Sequence, residues 1–256
     1  MIFLSQYFLW LIIYSFLGWV YESAICSIDE HRLVNRGFLN GPICPVYGFG
    51  ALASIFVLNQ RTDNVIILFL AGALITCTVE YITAVLLEKL FHAKWWDYSN
   101  HRINFQGRVS LLGAVVFGFL TVLLIKYIHP FVGGFTNQVS IPVLTASAIF
   151  IFLIVMLDLY ITVRHLLHLK GRLAEIQSAL DRFIDQYAKR AGDLKNALLD
   201  KFEESEFYNE RIKKLINVGR FQDTRLARAF PKLKSLRYND AWQKLKSIVL
   251  NTDKNG

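Results

Sequence analysis

No charged side chain occurs from Met1 to Tyr21, from Gly37 to Gln60, or from Val109 to Ile125. Two further apolar runs are each interrupted once, Val65 to Leu87 by Glu80 and Ile141 to Val163 by Asp158. About 20 apolar residues in a helix are enough to cross the hydrocarbon of a bilayer, where every backbone polar group must find a partner within the protein. Five such runs predict an all-α, polytopic integral membrane helical bundle of about five transmembrane helices. The first run lacks a basic n-region and an A-x-A cleavage site, so it reads as a retained helix rather than a signal peptide.

Charge is divided unevenly along the chain. Residues 1–164 hold 9 Lys/Arg and 8 Asp/Glu, whereas residues 165–256 hold 19 and 12. This places a transmembrane domain at 1–164 and a basic, helical cytoplasmic tail at 165–256. With 54% apolar and 19% charged residues, a disordered chain and an ordinary soluble enzyme are both excluded. Basic residues cross a membrane reluctantly during insertion. Arg32, Arg36, Lys89, Lys94, Arg102, Arg108 and the tail fall on one side of a five-span topology, and only Arg61 and Lys126 on the other. The N-terminus is therefore expected outside and the C-terminus in the cytoplasm. Gly133 and Gly134, within the run Pro130 to Ser140, could instead dip back into the bilayer without changing that topology.

An ionised carboxylate near the bilayer centre costs about 2.5 to 3.5 kcal/mol even on lenient scales, so it normally faces a partner or a cavity. Glu22 and Glu80 fall at similar depth and could share one cytoplasm-open cavity. The plainer reading has Glu22 reaching the interface and Glu80 paired with Arg36 or Arg108; Asp158, near the inner surface, reads as structural. Between Arg36 and Gly50 the sequence has two prolines, Pro42 and Pro45, and four glycines, which disfavour a regular helix at its start. Irregular backbone of this kind lines many transport sites. The loop from His92 to Arg108 mixes Trp95, Trp96 and Tyr98, candidates for an interfacial aromatic belt, with Asp97, Asn104 and Arg108. Small residues at Gly48, Gly50, Ala51, Ser54, Ala114 and Gly118 suit close helix packing. Cys26, Cys44 and Cys77 read as small core residues. The match of Gly48 to Ala53 to a dinucleotide fingerprint is discarded, since no strand precedes it.

Gly18-Trp-Val-Tyr-Glu22-Ser, Arg36-Gly-Phe-Leu-Asn40-Gly-Pro42, Pro45-Val-Tyr47-Gly-Phe-Gly50, Glu80-Tyr, Trp96-Asp-Tyr98-Ser and Asn104-Phe-Gln-Gly-Arg108 together resemble the bacterial ABC-transporter permease family called CmpB-like, or type IV. The likeness covers roughly Leu17 to Leu112. It implies a multi-pass protein of the bacterial inner membrane and a permease component of unknown substrate. Its polar site would draw on Glu22, Arg36, Asn40, Pro42, Tyr47, Glu80, Trp96, Asp97, Tyr98, Asn104 and Arg108. The chain has no G-x-x-x-x-G-K-[ST] loop, so ATP hydrolysis would come from a separate ATPase subunit. Two other readings stay open: a membrane-embedded enzyme or head-group-binding protein using Glu22 or Glu80 with Arg36 or Arg108, and a non-catalytic scaffold whose tail recruits partners. No metal cluster, nucleophile constellation or cofactor motif stands out.

In the tail, Leu166, Leu169, Leu173, Ile176, Leu180, Phe183, Tyr187 and Leu194 form a heptad seam, with Arg190 as a lapse and Gly192 near its end. The seam predicts a helix that packs as a coiled coil on a partner or on a second copy of the chain. A second amphipathic stretch follows, divided by Pro231 from a last helix carrying Leu236, Trp242, Leu245 and Val249. From Arg211 to Arg237 nine Lys/Arg accompany one acid, Asp223. Lys213, Lys214, Arg225 and Arg228 are the expected contacts to anionic inner-leaflet lipid, which a tethered tail meets before nucleic acid. The topology carries a direct test. Single cysteines introduced at Asn100 and in the tail should be shielded from an impermeant thiol reagent in intact cells, and one at Asp63 labelled; labelling of Asn100 from outside would reverse the orientation.

Overall fold

The computed structural model describes residues 2–191, 202–205 and 207–252. It is an all-α membrane bundle with four helices long and apolar enough to cross a bilayer among the described residues. The chain divides into two compact units, one of Met1–Leu86 with Trp96–Thr162 and one of Leu87–Trp95 with Val163–Gly256.

In the first unit α1 runs Ile2–Glu30, α2 Pro45–Leu58 and α3 Val65–Phe91, which continues into the second unit. Only short strands follow, β1 at Ala93–Lys94 in the second unit, then β2 at Asn104–Phe105 pairing antiparallel with β3 at Val109–Ser110. Helix α4, Leu111–Leu123, starts on the Ser110 hydroxyl, which accepts from the Gly113 N–H at 3.1 Å. A π segment, Leu124–Ile128, then leads into α5, His129–Gln138. Pro130 lies in the first turn of α5 and has no N–H to give to the preceding turn, so the helical ladder changes register here without stopping. The fourth span thus extends over Leu111–Gln138, and the segment expected to dip back into the bilayer is its helical continuation. Helix α6, Ile141–Ala191, begins in this unit and passes into the second.

The second predicted span is corrected. Of Gly37 to Gln60 only Pro45–Leu58 is helical, 14 residues, or roughly 21 Å at about 1.5 Å per residue against about 30 Å of hydrocarbon. Pro45 sits in the first turn, where a residue without an N–H costs nothing, and Gly37, Gly41 and Pro42 keep the preceding residues out of a helix. As residue number rises from Val34 to Gly48, the neighbours on α1 fall from Ser27 to Leu11, so this segment and α2 lie antiparallel to α1.

The core of this unit gathers Tyr14, Ile55, Leu58, Leu68, Leu124, Ile125 and Val132. Large apolar side chains such as Phe3, Leu4, Phe56, Leu74, Phe131 and Phe150 point outward, as lipid-facing residues do. Because lipid gives no hydrophobic drive for helices to associate, close backbone approach has to supply it. Gly48 lies against Leu11 and Ser15, Gly72 against Thr121, and Gly118 against Phe69. Polar pairs add to this: the Tyr14 hydroxyl is 2.8 Å from His129 Nδ1, and Trp10 Nε1 donates to Thr136 Oγ1 at 3.0 Å.

The second unit is built on the later part of α6. Leu166, Leu169, Leu173, Ile176, Leu180 and Phe183 are buried within the single chain. A short 3-10 turn, Phe202–Glu204, precedes α7, Glu210–Asn217, α8, Arg220–Ala229, and α9, Asn239–Thr252, while β4, Lys234–Ser235, pairs with β1. Phe183 meets Phe202 and Phe207 edge to face, Gln177 Oε1 accepts from the Ala241 N–H at 3.0 Å, and Leu166, Leu169 and Leu173 share a pocket with Leu226 and Trp242. From Leu166 to Phe183 the seam expected to meet a partner is therefore covered by the chain's own helices. The side chains of Tyr187 and Arg190, and the residues Gly192 and Leu194, lie outside the described residues. Trp242, Leu245 and Val249 are buried as the pattern predicts, whereas Leu236 precedes α9 and is exposed.

Asp223 is wholly buried between Arg172, whose guanidinium lies 2.8 Å from its carboxylate, and His165, whose Nε2 is 3.0 Å from Oδ1. Arg172 also donates to the carbonyls of Leu215 and Val218, which the end of α7 leaves without helical partners. Of the four expected lipid contacts, Lys213 and Lys214 are exposed, but Arg225 and Arg228 are half-buried within the unit.

A Cβ at Gly48 would stand 2.5 Å from the Leu11 carbonyl oxygen, whereas nothing lies within 4 Å of one at Gly134. Gly48→Ala should therefore cost about 1 to 3 kcal/mol through overpacking and lower the melting temperature in neutral-lipid nanodiscs, with Gly134→Ala unchanged. Equal melting of the two variants would show that the α1–α2 approach has slack.

Candidate functional site

The irregular chain from Val34 to Cys44 has neither a helix nor a sheet to pair its backbone, so side chains of the flanking helices do so. On α1, Ser27 Oγ accepts from the Val34 N–H at 3.0 Å and Ser23 Oγ from the Arg36 N–H at 3.2 Å. Trp19 Nε1 donates to Asn35 Oδ1 at 2.7 Å, and the Ser15 carbonyl accepts from the Cys44 N–H at 2.9 Å. Positions 15, 19, 23 and 27 recur every fourth residue, which puts them on one face of the helix. Asn35 closes the turn inside the segment, accepting from the Gly37 N–H at 3.0 Å and donating to the Asn40 carbonyl at 2.8 Å.

On the other flank Asp158 of α6 holds the tip. Its Oδ1 accepts from the Asn40 N–H at 3.1 Å and from Asn40 Nδ2 at 2.8 Å, and its Oδ2 from the Gly41 N–H at 2.8 Å. Thr162 Oγ1 accepts from Asn40 Nδ2 at 3.0 Å and donates to Asp158 at 3.3 Å. Hydrogen bonds to a charged acceptor stabilise by roughly 1.5 to 3 kcal/mol each, twice the neutral kind. Asp158 thus acts as the anchor of an irregular loop.

That loop brings charged groups together. Arg36 Nε lies 3.4 Å from Glu22 Oε2, and the Tyr47 hydroxyl donates to Glu22 Oε1 at 2.6 Å. Tyr47 comes close to Glu22 because Gly18, one turn earlier on α1, leaves room for its ring. Nearby, the Tyr98 hydroxyl donates to Glu80 Oε1 at 3.3 Å. Burial pushes the Tyr98 phenol well above its ordinary range; the charges of Glu80 and Glu22 add to this, while Arg36 opposes it. Both carboxylates and the guanidinium therefore act on one phenol. Glu80 is 6% exposed and packed into the bundle. Its Oε2 is buried with no hydrogen-bond partner among the described residues.

The remaining candidates shape the loop that carries Tyr98. Asp97 Oδ1 accepts from the N–H and hydroxyl of Ser99 at 3.1 and 2.5 Å. Trp96 Nε1 donates to the Arg108 carbonyl at 3.0 Å, and Tyr98 N–H to the Gly107 carbonyl at 2.8 Å. Asn104 bridges the turn, donating to the His101 carbonyl and accepting from the Gly107 N–H, both at 2.8 Å. Gly107 has a φ of +69°, which a side chain at this tight turn would make costly. Arg108 lies over the Tyr81 ring, 5.4 Å from its centre, and donates to Gln106.

The structure thus joins Glu22, Arg36 and Tyr47 directly, and Glu80 with Tyr98. Asn40 is turned to Asp158, and Pro42 is exposed. Trp96, Asp97, Asn104 and Arg108 form the hairpin. Of the two pairings considered for Glu80, Arg36 bonds Glu22 instead. Trp19, Ser23, Ser27, Asn35 and Thr162 were missed, although the four-residue polar spacing on α1 is visible in the sequence.

Among known proteins, a family model described as "Putative ABC-transporter type IV" matches residues 9–163. No curated protein and no solved structure matches the chain.

The anchor is testable. Asp158→Ala strands the Asn40 and Gly41 N–H groups and should cost at least about 2 kcal/mol, read as a lower melting temperature in nanodiscs, while Asp158→Asn recovers part of it through its remaining acceptor oxygen. Parental melting of Asp158→Ala would show the loop to be held by other means.

Proposed function

The chain belongs to the ABC-transporter type IV family, and from that membership we propose that it is the permease component of a transporter whose energy comes from a separate ATPase subunit. It is read as a multi-pass protein of the bacterial inner membrane, with the N-terminus outside and the tail in the cytoplasm. In this reading the irregular segment with α2 makes the fifth crossing. Glu22, Arg36, Tyr47, Glu80 and Tyr98 form the polar site, and the hairpin of Trp96 to Ser110 covers it. Displacing Tyr98 frees the first oxygen of Glu80 beside the second, which already lacks a partner, so hairpin movement opens a carboxylate to a cation or a proton-donating substrate.

One observation carries the proposal: a buried carboxylate with an unsatisfied oxygen lies beneath a side chain delivered by a loop. A group of this kind is costly to keep for structure alone. The tail's exposed Lys213 and Lys214 serve as contacts to anionic lipid of the inner leaflet, each contributing about 1 kcal/mol near the surface.

Purification in gentle detergent from the native cell should recover a nucleotide-binding ATPase subunit with this chain. In that complex Glu80→Gln should reduce transport-coupled ATP turnover by about tenfold or more, equivalent to about 1.4 kcal/mol on the limiting barrier, without dissociating the subunits. Recovery of the chain without any ATPase, or full turnover by Glu80→Gln, would overturn the proposal.

A further inference from the structure

Among the described residues of the second unit, the large apolar side chains left exposed are Leu90, Leu167, Val218, Phe221 and Leu236. Leu90 and Leu167 lie on α3 and α6 just past the ends of their apolar runs at Leu87 and Val163. The other three are distant in sequence, yet backbone contacts return each of them to one of these two exits. The Leu236 N–H donates at 2.8 Å to the carbonyl of His92, the residue that follows α3. Val218 and Phe221 lie on either side of the turn between α7 and α8, where a Cβ on Gly219 would stand 3.0 Å from Cε1 of His165, two residues after Val163. A single exposed apolar residue needs no explanation, but a set gathered where two spans leave the hydrocarbon does.

The course of α7 puts the turn at this level. Arg211, in its first turn, lies 2.9 Å from Glu175 of α6. Arg172 donates to the Leu215 carbonyl at 3.0 Å and to that of Val218, and Gly219 then meets His165. As residue number rises from 211 to 219, the neighbour on α6 falls from Glu175 to His165. Helix α7 therefore runs back along α6 for about 15 Å, at about 1.5 Å per residue, toward the end of the apolar run. Asp223 on α8 bonds both His165 and Arg172, and Gly219, with a φ of +79°, permits the close approach. The turn is thus fixed to α6 while Phe221 stays 80% exposed.

Charge agrees with position. From Arg211 to Arg237 the single acid among nine Lys/Arg is Asp223, which is wholly buried against Arg172, so this stretch presents no carboxylate to its surroundings. Lys214 is exposed one turn before Val218, and Arg237 is exposed directly after Leu236. Apolar tips beside basic side chains match the boundary between headgroups and acyl chains in an anionic leaflet.

We propose that Val218, Phe221 and Leu236 dip into that boundary in the leaflet from which α3 and α6 emerge, with Lys214 and Arg237 against lipid phosphates. Both spans tether the unit to the surface, so a few side chains suffice: the contact forms within one molecule, without the entropy cost of association. The inference deepens the reading of the tail as a lipid contact and rests on it, but it uses none of the residues of the transport reading.

The test uses the full chain with Phe221→p-benzoylphenylalanine in nanodiscs of equal phosphatidylcholine and phosphatidylglycerol, with photo-adducts identified by mass spectrometry. Adducts to lipid acyl chains are expected. The same substitution at Asp185, exposed on α6 about 30 Å beyond His165 at about 1.5 Å per residue, should give none. Val218→Asp with Leu236→Asp should lower the yield at position 221 about tenfold or more, because two apolar contacts are lost and two negative charges face the leaflet. Absence of lipid adducts at 221, an equal yield at 185, or an unchanged yield in the double variant would overturn the proposal. Adducts at 221 to a separate subunit, on irradiation in the native membrane, would overturn it as well by making the turn a protein interface. Adducts divided between the two lipids by mole fraction would support the apolar contact while removing the preference for anionic lipid.

Discussion

An amide N–H removed from water without a partner costs several kcal/mol, and the stretch from Val34 to Cys44 runs alongside a helix of spanning length with no regular structure of its own. Much else in the first unit follows from that liability. The four-residue polar spacing on α1 answers it from one side. The carboxylate of Asp158 answers it from the other, and this accounts for a charge in an otherwise apolar span. Gly18 and Gly48, in turn, let the segment and α2 approach close enough for those bonds to form.

Once the loop is fixed, the charges near it are ordered by reach. Arg36 leaves the loop toward Glu22, and Tyr47, two residues into α2, bonds the other oxygen of the same carboxylate. Glu80 gets its partner from a different source, a hairpin whose shape depends on Asn104, Asp97 and Gly107. The residues that meet the carboxylates are therefore few, and the rest of the conspicuous motif holds them in place. Such a division gives the two carboxylates unequal freedom: Glu22 is tied by elements of the bundle, Glu80 by one loop side chain.

The second unit solves a different problem. Its buried Asp223 needs a counter-charge, and Arg172 supplies it while bonding the carbonyls that end α7. Burying an ion pair adds little net stability, but removing one partner costs about 3 to 5 kcal/mol, so the Arg172–Asp223 pair ties α6 to the later helices. The same packing fills the apolar seam of α6 with Phe202, Phe207 and Trp242.

By itself the sequence determined the class of the protein, the positions of the long helices and the family, because run length, charge and short motifs are local properties. Pro42, Pro45 and their neighbouring glycines also told where helix would fail. What the backbone would do there instead was not legible, since it depends on Ser23, Ser27 and Asp158, whose partners lie up to 118 residues away. The seam on α6 was legible as a buried face, but periodicity says that a face is covered and not by what; the folded chain turned its own tail onto it. Likewise the sequence marked Glu22 and Glu80 as carboxylates out of place, with Arg36 and Tyr98 among the candidates for the same site. Only the tertiary structure decided which of them touch, because an ion pair or a hydrogen bond is set by distances of a few ångströms between segments whose separation the chain does not encode locally.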